Sequence, residues 1–477
     1  MWIDLREPAK RLLRKIAAFS AGSSGRCFVA IIGLSAVYGQ FAAGCTAAAP
    51  VRDYGSMKIV DRDGETTLSS SQIAVQLLAA SGSDDKMPQL VADISSLSDT
   101  PIYTDNTVRL LIDGPATYDA MLAAIDAAER YVMLETYIFA DDEAGRRFAQ
   151  KLAERSANGI AVMAVYDSFG SFGSDEEFFE SMRSSGVKLI EFNNVNPVEG
   201  GNPLKLNNRN HRKLLVVDGK VAFTGGVNLS STYSSRSTGL PKKNPAREGW
   251  RDTHIEIRGP AVAGLEKAFV DQWRELGGDP VATAPAADSE SPAGDEIVAI
   301  LKAEGGDGKQ SAIFAAYLDA MRVAEDRIWI TQAYFAPDKE FLELLASSAE
   351  RGVDVRLLAP GLSDSGLVLS ASRSRYGDLL RSGVRIFENQ EAVLHAKTAV
   401  IDGLWSTVGS SNLDYRSFLH NDEVNAIVIG EEFALEMEKQ FLLDISQARE
   451  IELHEWNERS LWSKFREKIS WTIEYWL

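Results

Sequence analysis

The string NHRKLLVVDGKVAFTGGVN, from Asn210 to Asn228, is matched by LHAKTAVIDGLWSTVGSSN, from Leu394 to Asn412. Counted from His211 and from His395, Lys stands at +2, Asp at +7, Gly at +14 and Asn at +17 in both. The chain has five histidines, so two such agreements do not arise by chance. In each string a short apolar run reads as a buried strand, Asp-Gly is the strongest short hairpin-turn dipeptide, and a second strand follows. Side chains alternate along a strand with period two, so His211 and Lys213 share a face, as do His395 and Lys397. The returning strand brings Gly226 with Asn228, and Ser410 with Asn412, beside them.

The repetition extends outward. Ala128-Glu129 followed by YVMLETYIF answers to Ala324-Glu325 and, after Asp326, RIWITQAYF. Gly159-Ile160-Ala161-Val162 answers to Gly352-Val353-Asp354-Val355, and Ser185-Gly186-Val187-Lys188 to Ser382-Gly383-Val384-Arg385. Between these points apolar strands alternate with helical spacings such as Tyr118, Met121, Leu122 and Ile125, the pattern of a largely parallel sheet covered on both faces. The fold class is therefore α/β: two similar α-β-α sandwich domains, over 107–278 and 309–447, packed as a pseudo-twofold tandem repeat with the site at their interface. The Pro-, Ala- and acid-rich stretch DPVATAPAADSESPAGDE starting at Asp279 makes 279–308 a linker, and the Ser-, Asp- and Ala-rich 46–106 a spacer.

Overall composition is that of a globular protein, with 45% apolar and 25% charged residues over 477 positions. Net charge is −18, a field that repels nucleic acid and anionic lipid surfaces, so an anionic substrate has to be held by local cations. The charge is uneven. Residues 1–26 carry six basic side chains against Asp4 and Glu7, leaving −22 on the remainder. The nineteen residues from Cys27 to Cys45 are uncharged. Basic first, apolar second and small residues last is the order of an export signal, and the length is also near the minimum for a retained membrane anchor. Ala42-Ala43-Gly44-Cys45 resembles a lipoprotein processing box that would leave Cys45 lipidated. Either way the basic end stays cytoplasmic and the body is exported, placing the protein in a bacterial cell envelope. The body after Cys45 has no cysteine, so it contains neither a disulfide nor a thiol nucleophile. At the other end, over 448–477, Trp462, Phe465, Ile469, Ile473 and Trp476 fall on one helical face near Lys464, Arg466 and Lys468, which suits either an interfacial helix or one packed on the core.

Two copies packed together bring two imidazoles, two ammoniums and two amides to one cleft. That set fits phosphodiester chemistry: the lysines and amides hold non-bridging oxygens, one imidazole attacks phosphorus, and the other moves the proton. An ammonium two residues from each His would repel a cation, so neither a metal nor any other cofactor is expected. Asp218 and Asp402 sit at the hairpin turns, either as participants in catalysis or as residues that hold the turn. Asp252 and Glu423 follow the second strand of their copies, where each could fix an imidazole's tautomer. His254, His420 and His454, taken singly, read as satisfied core histidines.

These strings resemble the phospholipase D superfamily, and within it the bacterial cardiolipin synthases. The resemblance also takes in LETYIF, RNHRKLLVVDG, RDTHIEIRGPAV, YFAPD, SRSRYGDLLRSGVRIFE and GSSNLDYRSF, from about Val108 to Ile429. It implies transfer of a phosphatidyl group from one phosphatidylglycerol to another, releasing glycerol through a phosphohistidine. His211 would be the nucleophile and His395 the acid/base, with Lys213, Lys397, Asn228, Asn412 and Ser410 around the phosphate and Glu423 as the His-orienting acid. The implied partners are phospholipids and a membrane surface, not nucleic acid. The alternatives are a phospholipase D-type hydrolase, another phosphodiesterase, or a catalytically silent lipid-binding protein.

Overall fold

The computed structural model describes residues 56–69, 86–97, 101–194, 207–235, 249–283, 294–305, 311–363 and 366–460. The expectations for residues 1–45, including Cys45, and for the aromatic face beyond Ser460 lie outside these residues. The chain divides into two compact units, one of 58–66 with 93–477 and a smaller one of 1–57 with 67–92. The smaller unit has, among its described residues, two short extended stretches and the first part of the helix Lys86–Leu97. No helix among the described residues is long and apolar enough to cross a membrane.

The strands, in chain order, begin with β1 (Ser56–Asp61) and β2 (Gly64–Ser69). The first copy supplies β3 (Ile102–Ile112), β4 (Tyr131–Thr136), β5 (Ala161–Asp167), β6 (Lys188–Phe192), β7 (Leu214–Val217), β8 (Val221–Gly225) and β9 (Thr253–Arg258). The second supplies β10 (Glu296–Ala303), β11 (Arg327–Gln332), β12 (Phe335–Ala336), β13 (Asp354–Pro360), β14 (Arg385–Asn389), β15 (Lys397–Ile401), β16 (Trp405–Gly409), β17 (Leu413–Asp414), β18 (Glu423–Ile429) and β19 (Arg449–Glu450). The pairings give β6-β5-β4-β7-β8-β9-β3 in the first copy and β14-β13-β11-β15-β16-β18-β10 in the second, the same order twice. In each copy three parallel strands join four antiparallel ones, so each sheet is mixed.

Two boundaries differ from the sequence reading. β10 lies in the segment expected to be linker, and β3 begins inside the expected spacer, as do β1 and β2. β10 is a fully paired strand, antiparallel both to β18 across seven residue pairs and to β3 of the other copy, where Glu296 faces Asn106 and Val298 faces Tyr103. The apolar EIVAILKA therefore closes the second copy's sheet and fuses it to the first; the acidic residues just before it hid that run in a compositional average.

Helices cover both faces. The helices Asp113–Asp126 and Glu143–Ala157 bury Tyr118, Leu122, Ile125, Phe148 and Leu152 on the outer side of the first sheet. The helix Val262–Glu275 packs on β4, β7 and β8 and also on β10, while Glu431–Ser446 packs on the second sheet and also on β3. These two helices build a single core with residues of both copies, including Leu265, Phe269, Trp273, Phe433, Ala434 and Phe441. Each also covers the other copy's edge strand, and the halves behave as one packing unit.

The Asp-Gly turns place the site. Asp218 and Gly219 have φ of +56° and +68°, and Asp402 and Gly403 +52° and +65°. Positive φ at both central residues is the type I′ turn, whose twist matches the flanking strands. β7 then pairs with β8 and β15 with β16 in tight antiparallel hairpins, leaving His211, Lys213 and His395 just before the first strand of each hairpin and Lys397 at the start of β15.

Candidate active site

The segments carrying the two histidines are tied to the opposite copy. The His211 amide donates to the Asp422 carbonyl at 2.9 Å, and the His395 amide to the Arg251 carbonyl at 2.8 Å. Short bridges, Asn210 with Asp422 and Arg251 with Leu394, run across the interface beside them. Each imidazole consequently meets the carboxylate of the other copy. His211 Nδ1 is 3.0 and 3.1 Å from the Glu423 oxygens and 3.1 Å from the Ser410 carbonyl. His395 Nδ1 is 2.7 Å from Asp252 Oδ2 and 3.3 Å from the Tyr233 hydroxyl. Acceptors at both Nδ1 atoms fix the tautomer with the proton there and leave Nε2 bare for nucleophilic or proton-transfer work.

Both rings are buried, and burial lowers both histidines, that of His211 furthest. The lysines add to this across the interface: Lys397 acts on His211 and Lys213 on His395. The acids differ. Asp252 is held below the usual carboxylate range because, against the cost of burial, it faces His395 and Lys397 and accepts from the Thr253 amide. Burial pushes Glu423 up to about 7, resisted by Lys213 and by hydrogen bonds from Ser410, Ser417 and Asn421. His395 thus has a permanently ionised partner, and His211 a partner that gains charge only near neutrality.

Lys213 is buried and lowered to about 7 by desolvation and by Lys397. Its Nζ donates to the His211 carbonyl, as that of Lys397 does to the His395 carbonyl. The Tyr137 ring lies 5.2 Å from the Lys213 ammonium and edge-on to His211 at 5.0 Å. Trp250 and Tyr233 wall the other side, their ring centroids 5.3 and 5.7 Å from that of His395.

Several residues singled out in the sequence sit differently from what was expected. Asp218 and Asp402, read either as catalytic or as holding the turn, take the turn role and are not in the cleft. The Asp218 carboxylate accepts from the amides of Glu129, Arg130 and Tyr131 at 2.7–2.8 Å, and that of Asp402 from Glu325, Asp326 and Arg327 at 2.9 Å. At about 3.3 Å per residue, five strand positions separate them from the lysines by roughly 16 Å. They anchor the hairpin to the start of the neighbouring strand. Ser410, read as a phosphate contact, instead donates its hydroxyl to Glu423 and accepts from the Val424 amide at 3.0 Å. Its counterpart Gly226 has no room for a side chain, because a Cβ there would lie 2.1 Å from Asp252 Oδ1. The shorter acid sits closer to the backbone and excludes the serine.

Asn228 accepts from the Ile138 amide at 3.1 Å and donates to the Tyr233 hydroxyl at 3.0 Å. Asn412 is also buried, and its Oδ1 has no partner among the described residues. His254 lies in the core as expected but unsatisfied: neither ring nitrogen has a hydrogen bond among the described residues, and burial lowers it to about 3, keeping it neutral.

Sequence reasoning missed Tyr137, Tyr233, Trp250 and the ion pair of Arg251 with Asp444, whose buried guanidinium reaches the carboxylate of the other copy's helix at 3.0 and 2.6 Å. Tyr137 lies within the quoted LETYIF, and Trp250 immediately precedes the quoted RDTHIEIRGPAV. Tyr233 and Asp444 have no local signal, since their roles exist only once the copies are packed.

The family described as cardiolipin synthase, PLD-like domain, matches residues 121–238 and 317–445, one stretch in each copy. This chain belongs to that family. It is 37% identical over 353 residues to cardiolipin synthase A of Pseudomonas aeruginosa, covering 74% of this chain and 69% of that one. Against the cardiolipin synthase of Geobacillus kaustophilus it is 34% identical over 375 residues, covering 78% and 72%. Among solved structures, phosphatidylserine synthase of Haemophilus influenzae superposes with a TM-score of 0.59 at 12% identity, over 78% of this chain and 95% of that one, a likeness of fold. The first matched stretch holds His211 and the second His395 and Glu423, while Asp252 lies just beyond the first.

Proposed function

We propose that this protein is a phosphatidyltransferase that makes cardiolipin from two molecules of phosphatidylglycerol and releases glycerol. The observation that carries the reading is the exchange of acids between copies, with His211 on Glu423 and His395 on Asp252, because it yields two bare Nε2 atoms over one lysine-lined cleft. His211 Nε2 attacks phosphorus and forms a P–N bond while the P–O bond to glycerol breaks. The glycerol oxygen takes its proton from His395, whose imidazolium is supported by ionised Asp252. The hydroxyl of a second phosphatidylglycerol then gives its proton back to His395 and attacks phosphorus, and the P–N bond breaks. Lys213, Lys397 and Asn412 stabilise the charge that gathers on the non-bridging oxygens.

The same reading has the enzyme working at a membrane surface, with its catalytic body on the exported side. Its support is the basic segment followed by the uncharged stretch from Cys27 to Cys45, with Cys45 either lipidated or part of a retained anchor. Incubating purified protein with phosphatidylglycerol and analysing products by mass spectrometry tests the reaction. Equal amounts of cardiolipin and glycerol are expected; phosphatidic acid as the sole lipid product would make the enzyme a hydrolase.

A further inference from the structure

Five large apolar side chains stand exposed among the described residues, and two of them lie together beside the cleft. Phe169 is 47% exposed and Phe172 79%, while the other three are leucines of the helix Glu431–Ser446. The phenylalanines belong to SFGSFGS, residues 168–174, which follows β5 and has no charged side chain. Single exposed apolar residues are ordinary on a protein surface, but two rings three positions apart on an uncharged loop form a patch.

The loop is stitched to the residues around His211. One oxygen of the Asp167 carboxylate accepts from the amides of Phe169 and Gly170 at 2.9 and 3.1 Å, and the other from the Asn210 amide at 2.9 Å. Two serines bind the segment that carries Tyr137. The Ser171 hydroxyl donates to the Tyr137 carbonyl at 3.3 Å and accepts from the Phe139 amide at 3.0 Å. That of Ser174 donates to the Phe139 carbonyl at 2.8 Å and accepts from the Asp141 amide at 2.9 Å. Gly170, between the two phenylalanines, passes so close that a Cβ there would lie 2.9 Å from the Tyr137 ring. That ring is half-buried and edge-on to His211 at 5.0 Å. One aromatic ring therefore separates the loop from the nucleophile, and the hydrogen bonds hold the phenylalanines at that rim.

We propose that Phe169 and Phe172 enter the hydrocarbon edge of a membrane containing phosphatidylglycerol and bring the Tyr137 side of the cleft onto it. This rests on the membrane reaction proposed above. The catalytic body carries a large negative charge, so an anionic surface repels it and apolar contact has to hold it there. His211 and His395 are both buried, so the reacting phosphate has to leave the headgroup layer for the cleft while its acyl chains stay in the bilayer. The rim of the cleft then meets lipid, and that rim carries the two exposed rings. Aromatic side chains suit this depth, and a loop already fixed by hydrogen bonds loses little freedom on docking.

The test uses the full chain and two readouts. Cardiolipin formation is measured on vesicles of long-chain phosphatidylglycerol and on monomeric dihexanoyl phosphatidylglycerol. The ratio of the vesicle rate to the monomer rate should fall about tenfold in the double variant Phe169→Ser, Phe172→Ser and be kept in Phe172→Trp. Because a ratio is read, a smaller folded fraction does not imitate the result. In vesicles of phosphatidylglycerol brominated on its acyl chains, the emission that Phe172→Trp adds over wild type should be quenched. An unchanged ratio, or added emission that the bromines leave unquenched, overturns the loop's contact with lipid and leaves the reaction standing. If wild type makes no cardiolipin from either form of the lipid, the proposed reaction fails, and the quenching alone then supports or overturns the contact.

Discussion

The imidazole of His211 is hydrogen-bonded to Glu423, 212 positions further along the chain and in the other copy of the fold. Neither copy can orient its own histidine, so catalysis requires the packed pair. Removing the charge while keeping an acceptor separates the two acids. Asp252 is ionised at all working pH values and supports the protonated form of His395, so Asp252→Asn should lower kcat about 100-fold, by much the same factor at pH 6 and pH 8. Glu423, pushed up to about 7, is largely protonated at pH 6 and ionised at pH 8. Glu423→Gln should therefore cost little at pH 6 and about tenfold or more at pH 8. A pH–rate profile of both variants checks this; equal pH-independent losses would contradict the asymmetry.

The same carboxyl affects stability with the opposite sign to a salt-bridged acid. With a pKa near 7 in the folded state and about 4.5 in the unfolded chain, Glu423 binds more proton when folded, and its contribution to stability falls as pH rises from 4.5 through 7. The lowered histidines act the other way, losing stability as pH falls below about 6.5 toward their folded values. Comparing Glu423→Gln with wild type cancels the histidines' direct contribution. The difference in Tm, variant minus wild type, should become more positive from pH 5 to pH 8. A flat difference would show that Glu423 is not raised.

The turn acids should separate stability from rate. Asp218 and Asp402 each accept three backbone amides and lie away from the cleft. Alanine leaves those donors unpaired and puts a residue poorly suited to positive φ in the turn, at about 2–3 kcal/mol for the buried Asp218 and less for the half-buried Asp402. Thermal melts should show this order, while kcat per folded molecule at low temperature stays within about twofold. A 100-fold drop in kcat would restore them to catalysis.

Much of this was legible in the sequence because it is local and was written twice. The α/β class, the hairpins and the His-Lys pairs follow from period-two alternation and from Asp-Gly, which need no partner to be recognised. β10 escaped because EIVAILKA adjoins Pro-, Ala- and acid-rich residues, and composition averaged over the stretch outweighs eight apolar-rich positions. Asp252 and Glu423 were recognised as acids that could orient a histidine, but not which histidine each serves. Sequence spacing carries no information on an exchange between copies. The structural role of Asp218 was open for a related reason: a turn aspartate and a catalytic one look alike until the amides of Glu129 to Tyr131 are seen around the carboxylate.

Gly226 offers the sharpest single test of how the acid is held. Its amide donates to the Thr253 carbonyl at 3.0 Å, which fixes the backbone, and a Cβ would come within 2.1 Å of Asp252 Oδ1. The carboxylate is fully buried against His395 and cannot move aside without giving up the 2.7 Å hydrogen bond. Gly226→Ala should therefore turn His395 away from its ionised partner, cutting kcat by about the same factor as Asp252→Asn and by little more when the two are combined. Ser410→Gly, in the roomier Glu423 site, removes one hydroxyl and should cost less than tenfold. Full additivity of Gly226→Ala with Asp252→Asn would mean that the glycine acts through something other than the aspartate.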